Sequence, residues 1–128
     1  MSKLFSETIL LVDDEAPVRQ LVRRILQMDG YTVLEASGGV DAIRICQRHE
    51  GPIHLLLTDV LMPGMSGQDL ADQVTTLRPH TRVLYMSGYI DSALITLLQI
   101  KIEMAFIQKP FTPDTLARKV HAVLGSTR

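Results

Sequence analysis

Asp13, Asp14, Asp59, Ser87 and Lys109 combine residue types and neighbours that can do chemistry together. Each stands at or next to the end of an apolar run: "TILLV", "IHLLLT", "RVLYM" and "EMAFIQ". Three carboxylates brought together repel one another. At ~4 Å and an effective dielectric near 20, each pair costs about 4 kcal/mol. Either one of them keeps a proton or a cation neutralises them. A hard divalent ion with oxygen ligands suits the set, and Mg²⁺ (or Mn²⁺) is the expected cofactor. Mg²⁺ keeps several waters and binds through one or two carboxylates plus phosphate oxygens, so the expected site handles a phosphoryl group. Asp59 then reads as a carboxylate nucleophile, with the Lys109 ammonium and the Ser87 hydroxyl set against the charge on the transferring oxygens. Gly88 leaves room for the incoming group. Taken singly, the residues have plainer readings: Asp14 or Glu15 capping the first helix, Ser87 capping the fourth, Lys109 on the surface. Their joint placement on one rim favours the site.

The elements that must build this rim alternate regularly. "TILLV" reads as a buried parallel strand. Val18, Leu21, Val22, Ile25 and Leu26 then repeat at helical spacing, with Arg19, Gln20, Arg23 and Arg24 on the other face and Gly30 as a stop. "YTVLEA" is the second strand, and a helix from about residue 39 to 49 carries Ile43 and Cys46 inward. "IHLLLTD" is the third strand. Ser66 with Asp69 three residues on resembles a capping box, opening a helix that buries Leu70, Val74 and Leu77. "RVLYMS" makes the fourth strand and "IDSALITLLQI" a fourth helix, more apolar than one core-facing stripe needs. Part of that surface is expected to serve dimerisation or a partner, with deeper burial as the alternative. "EMAFIQKP" is the fifth strand. Thr112 as N-cap, Pro113 and Asp114 start a last helix that buries Leu116, Val120 and Leu124. Strands separated by helices imply an α/β, doubly wound, three-layer domain: a five-stranded parallel sheet with five helices. Ligands of such sheets collect outside the carboxyl ends of the strands. Residues 5–125 are expected to form one domain, with no output domain after the last helix.

Composition narrows the function classes. With 13 basic and 14 acidic residues the formal charge is -1, too little to bind a phosphate backbone or an anionic membrane directly. Cys46, the single cysteine, falls in an apolar-periodic segment and reads as a buried thiol. No run approaches the ~20 apolar residues of a membrane span, and no signal peptide precedes the acidic pair, so a cytoplasmic location is expected.

The motifs "LLVDDE", "LLLTDVLMPGMSG", "MSGY" and "QKPFTP", in this order and spacing, resemble the receiver domain of two-component response regulators, including the receivers of hybrid histidine kinases. The resemblance implies a flavodoxin-like strand order 2-1-3-4-5. It implies Asp59 as the phosphoacceptor and Asp14 as a direct Mg²⁺ ligand. Asp13 would act through water, and the backbone carbonyl of Leu61 would complete the protein ligands. It also implies that Ser87 and Lys109 contact the phosphoryl group and that the Lys109-Pro110 peptide is cis. The phosphodonor would be a histidine kinase or a histidine phosphotransfer protein. The domain would be no conventional enzyme, catalysing only its own phosphorylation and dephosphorylation, and any kinase activity would lie in another part of a parent hybrid kinase. The family's switch pairs the hydroxyl at Ser87 with an aromatic residue, here Phe106. Its output face comprises the fourth helix, fifth strand and fifth helix, where homodimerisation is also expected.

Two features depart from the usual family pattern. "KIEM" (residues 101–104) replaces a small, glycine-containing turn, and apolar Leu61 and bulky Tyr89 flank the site. Leu61 and Tyr89 are expected to restrict the attacking water and lengthen the life of the phosphate. The rival readings are an aspartyl-nucleophile, metal-dependent phosphohydrolase and a flavin-binding module. The first usually carries a second Asp where this chain has Leu61. The second needs a hydroxyl- and glycine-rich phosphate loop where this chain has Asp13 and Asp14.

Overall fold

The computed structural model describes residues 7–87 and 106–125. The fourth helix, Gly88, Tyr89 and the "KIEM" turn lie outside the described residues. Among those described, the chain runs β1 (Thr8–Val12), α1 (Ala16–Met28), β2 (Thr32–Ala36), α2 (Gly39–Arg48), β3 (Leu55–Asp59), α3 (Gly67–Leu77), β4 (Arg82–Ser87), β5 (Phe106–Gln108) and a C-terminal helix (Pro113–Gly125). Four helices are therefore described against the five expected. The five strands form one sheet in the order β2-β1-β3-β4-β5, every pair parallel.

Alternation along the central strands divides the core into two layers. Ile9, Leu11, Leu55, Leu57, Leu84 and Met86 face α1 and the C-terminal helix, meeting Val22, Leu26, Leu116, Val120 and Leu124. Leu10, Val12, Leu56 and Tyr85 face the opposite side, against Ala42 and Cys46 of α2 and Leu70, Ala71 and Val74 of α3. β1 and β3 are buried along their whole length because helices cover both faces. Leu57, fully buried at the sheet centre, is expected to cost about 3–4 kcal/mol when cut to alanine, a drop readable as a lower urea midpoint.

Local signals set the element ends. Gly30 adopts φ 94, and the amides of Gly30 and Tyr31 donate to the carbonyls of Gln27 and Leu26, a Schellman closure of α1 that a side chain at Gly30 would strain. Ser66 accepts the Asp69 amide at 3.1 Å and opens α3, while Thr112 accepts the Thr115 amide at 3.0 Å and opens the C-terminal helix. Glu15 precedes α1 without a side-chain cap bond. The Arg78 guanidinium, just past α3, donates to the carbonyls of Cys46, His49 and Gly51 and so satisfies the open carboxyl end of α2.

Two expected core residues are instead exposed: Leu21 at 58% and Leu77 at 48%. The buried stripe of α1 centres on Val22 and Leu26, and Leu21, about 100° round the helix from Val22, falls at its edge. Leu77 is the last residue of α3, past the stripe formed by Leu70, Ala71 and Val74.

Candidate functional site

Strand register brings the reactive residues to one edge. Val12 pairs with Thr58, so Asp13 emerges beside Asp59. Asp59 pairs with Met86, and Ser87 with Gln108, so Ser87 and Lys109 emerge next along the same rim. The Lys109 amide donates to the Ser87 carbonyl at 2.8 Å, and the Lys109–Pro110 peptide bond is cis. The Lys109 ammonium stands 3.0 Å from Asp59 Oδ1, 3.1 Å from Asp13 Oδ2 and 3.9 Å from Glu15 Oε1. Asp13, Asp59 and Ser87 are buried, whereas Asp14 faces solvent.

The electrostatics follow from this crowding. Burial, reinforced by the hydrogen bond and charge of Asp13, outweighs the pull of Lys109 and pushes the Asp59 carboxyl up to about 7. Burial also works against the Lys109 ammonium, but hydrogen bonds and charge from Asp59 and Asp13 prevail and lift it above the usual lysine value. The site therefore holds more negative charge than one lysine can neutralise. Carboxylate oxygens of Asp13, Asp14 and Asp59 lie within 4.8 Å of one another. An all-oxygen donor set of this size with one solvent-facing member fits a hard divalent cation that keeps some of its waters.

Four of the five sequence-derived residues, Asp13, Asp14, Asp59 and Lys109, are thus drawn into one cluster, and Ser87 lies buried on the adjoining strand end. Phe106 begins β5 beside Tyr85 and is half-buried against the layer facing α2 and α3. Leu61 is exposed. Sequence reasoning missed Arg19, which it set on the outer face of α1. Its guanidinium turns back to the Asp13 carbonyl at 2.7 Å and to Glu35 at 3.1 Å. No local signal marks this, because Glu35 lies on another element. Gly67 was also missed: its amide donates to the Val60 carbonyl at 2.8 Å, and a β-carbon there would collide with the Asp59 carbonyl oxygen.

A parallel 2-1-3-4-5 sheet carrying three carboxylates and a lysine at the carboxyl ends of β1, β3 and β5 is the arrangement of a receiver domain. The chain belongs to the response regulator receiver domain family, whose model matches residues 9–121. It is 37% identical over 119 residues to sensor kinase CckA of Brucella abortus (strain 2308), covering 93% of this chain but only 13% of CckA. To the response regulator receiver protein CpdR of the same organism it is 30% identical, covering 91% of this chain and 95% of that protein. Among solved structures, the receiver domain of hybrid histidine kinase CckA matches with TM-score 0.76 and 33% identity, over 91% of this chain and 98% of that one. A CheY-like receiver domain from Methanospirillum hungatei JF-1 matches with TM-score 0.83 and 25% identity, over 95% and 96%. The chain is thus a receiver domain of two-component signalling, a class of domain that acts as a phosphoacceptor. No helix among the described residues is long and apolar enough to cross a membrane.

Proposed function

We propose that Asp59 accepts a phosphoryl group from the phosphohistidine of a histidine kinase or histidine phosphotransfer protein. The observation that carries this is the contact of Lys109 Nζ with Asp59 Oδ1 at 3.0 Å inside a cluster of three carboxylates. A carboxylate oxygen of Asp59 attacks phosphorus, the bond from phosphorus to the donor imidazole nitrogen breaks with its electron pair going to that nitrogen, and the ring, protonated on its other nitrogen, leaves as neutral imidazole. The Lys109 ammonium and the Ser87 hydroxyl receive the charge on the phosphoryl oxygens. Asp14, Asp59 and the Leu61 carbonyl would hold Mg²⁺ directly, with Asp13 behind a water. When bound, that ion offsets the carboxylate charge and the charge on the transferring group. The division between the two neighbouring aspartates is supported by their surroundings: both Asp13 oxygens already accept protein hydrogen bonds, and Asp14 faces solvent.

Phosphorylation then draws Ser87 toward the phosphate, and Phe106 repacks behind it on β5. The face that β5 and the C-terminal helix share, together with whatever the undescribed residues 88–105 add to it, thereby alters its affinity for a partner or a second copy of this chain. A cytoplasmic site of action belongs to the same reading. The phosphohydrolase alternative has no observation of its own in its favour. Incubation with acetyl phosphate and Mg²⁺ is expected to add the mass of one phosphoryl group to the wild type and none to Asp59→Asn, with EDTA abolishing the gain. Equal gain in the variant refutes Asp59 as acceptor.

A further inference from the structure

Asp13 is held at every polar atom it has. Its amide donates to the Ala36 carbonyl at 3.2 Å, Oδ1 accepts the Glu15 amide at 2.9 Å, and Oδ2 accepts Lys109 Nζ at 3.1 Å. Its carbonyl accepts Arg19 Nη1 at 2.7 Å. That carbonyl lies where β1 has ended and the α1 hydrogen bonds have not begun, since the Arg19 amide reaches only to the Glu15 carbonyl. Arg19 is itself fixed: its Nε donates to Glu35 Oε1 at 3.1 Å, and Arg23 Nη1 takes the other oxygen of Glu35 at 2.6 Å. With 17% of its side chain exposed, Arg19 is a packed strut from β2 to the turn between β1 and α1, not a solvated surface cation.

We propose that Arg19 is a positioning residue for the acidic site: anchored by Glu35, it fixes the Asp13 carbonyl and so sets where Asp13 and Asp14 present their carboxylates to a divalent cation. This rests on the proposed reading of that site as a Mg²⁺ and phosphoryl site. Asp14 follows the clamped peptide directly, and its side chain faces solvent, so its direction depends on the backbone that Arg19 holds. Partners that orient ligands without touching the metal typically alter affinity by 10- to 100-fold when removed.

Arg23 supplies the control, because its Nη1 donates to the same Glu35 carboxylate from the next turn of α1. The measurements are Mg²⁺ affinity by calorimetry, amide hydrogen exchange at Glu15 without metal, and melting temperature. Arg19→Ala is expected to weaken Mg²⁺ binding about tenfold and to speed Glu15 exchange, while Arg23→Ala changes Mg²⁺ affinity by less than about twofold. Both variants are expected to lower the melting temperature. Unchanged Mg²⁺ affinity in Arg19→Ala overturns the proposal, as does equal weakening in Arg23→Ala, which would mark general loosening. If Arg19→Ala does not fold, Glu35→Gln carries the test: a smaller loss in the same direction supports the strut, and no loss overturns it. Wild type that binds no Mg²⁺ removes the underlying site reading instead.

Discussion

Replacing Gly67 with alanine is expected to destabilise the domain by about 3 kcal/mol, at the upper end for overpacking, and to slow phosphorylation of Asp59 on the order of a hundredfold. A β-carbon at this position meets the Asp59 carbonyl oxygen head-on and comes within 2.9 Å of the Asp59 carbonyl carbon and 3.1 Å of Val60 Cα. All three are backbone atoms, so no side chain can swing aside. The start of α3 must move away from the end of β3, and the amide bond from Gly67 to the Val60 carbonyl is lost with it. Gly38, the residue preceding α2, is the matched control. A β-carbon there meets nothing within 4 Å, and Gly38→Ala is expected to stay within about 1 kcal/mol of wild type. Urea unfolding and acetyl phosphate kinetics on the two variants separate the effects; equal behaviour contradicts the close approach.

Asp59→Asn is expected to do the opposite to stability while abolishing phosphorylation. The Asp59 carboxyl titrates near 7 in the folded protein against 3.8 for an ordinary aspartate, the unfolded reference. Below about pH 4 both states hold the proton and the residue contributes no pH-dependent penalty. Between pH 4 and 7 the unfolded chain releases its proton while the folded one keeps it, so stability falls as pH rises. Above pH 7 the full penalty applies, about 4 kcal/mol at most for a shift of this size. Asparagine removes the ionisation. In EDTA at pH 8 the variant is expected to unfold at a higher urea concentration than wild type, with the difference shrinking toward pH 4. Saturating Mg²⁺ should narrow the gap at pH 8, because the ion stabilises the wild-type carboxylate. A variant less stable than wild type at pH 8 without metal contradicts a strained acidic cluster.

Much of this was legible from the chain. Continuous apolar runs ending in Asp13, Asp59 and Ser87 require strands covered on both faces, and the helices between them require parallel pairing. A parallel sheet carries every strand's carboxyl end to the same edge, so the site followed from the fold class before any distance was known. Helix starts at Ser66 and Thr112 were equally local, each decided by one hydroxyl reaching an amide three residues on. What escaped was non-local. Leu21 has the spacing of a core residue, but how wide a stripe α1 buries depends on how the C-terminal helix sits beside it. Arg19 fits the polar face of a helix wheel, and only the folded arrangement reveals that Glu35 and the Asp13 carbonyl are its partners. Gly67 is unremarkable beside Ser66 until the end of β3 is seen to pass against it.

The central claim, that this rim directs a phosphoryl group to one oxygen-bearing side chain, is tested most directly by locating the modification. Protein treated with acetyl phosphate and Mg²⁺ is reduced with borohydride, which converts an aspartyl phosphate to homoserine, and then mapped by peptide mass spectrometry. Homoserine at position 59 and at no other aspartate is the predicted result. Reduction at Asp13 or Asp14, a phosphate that resists borohydride, or a folded protein left unmodified contradicts it.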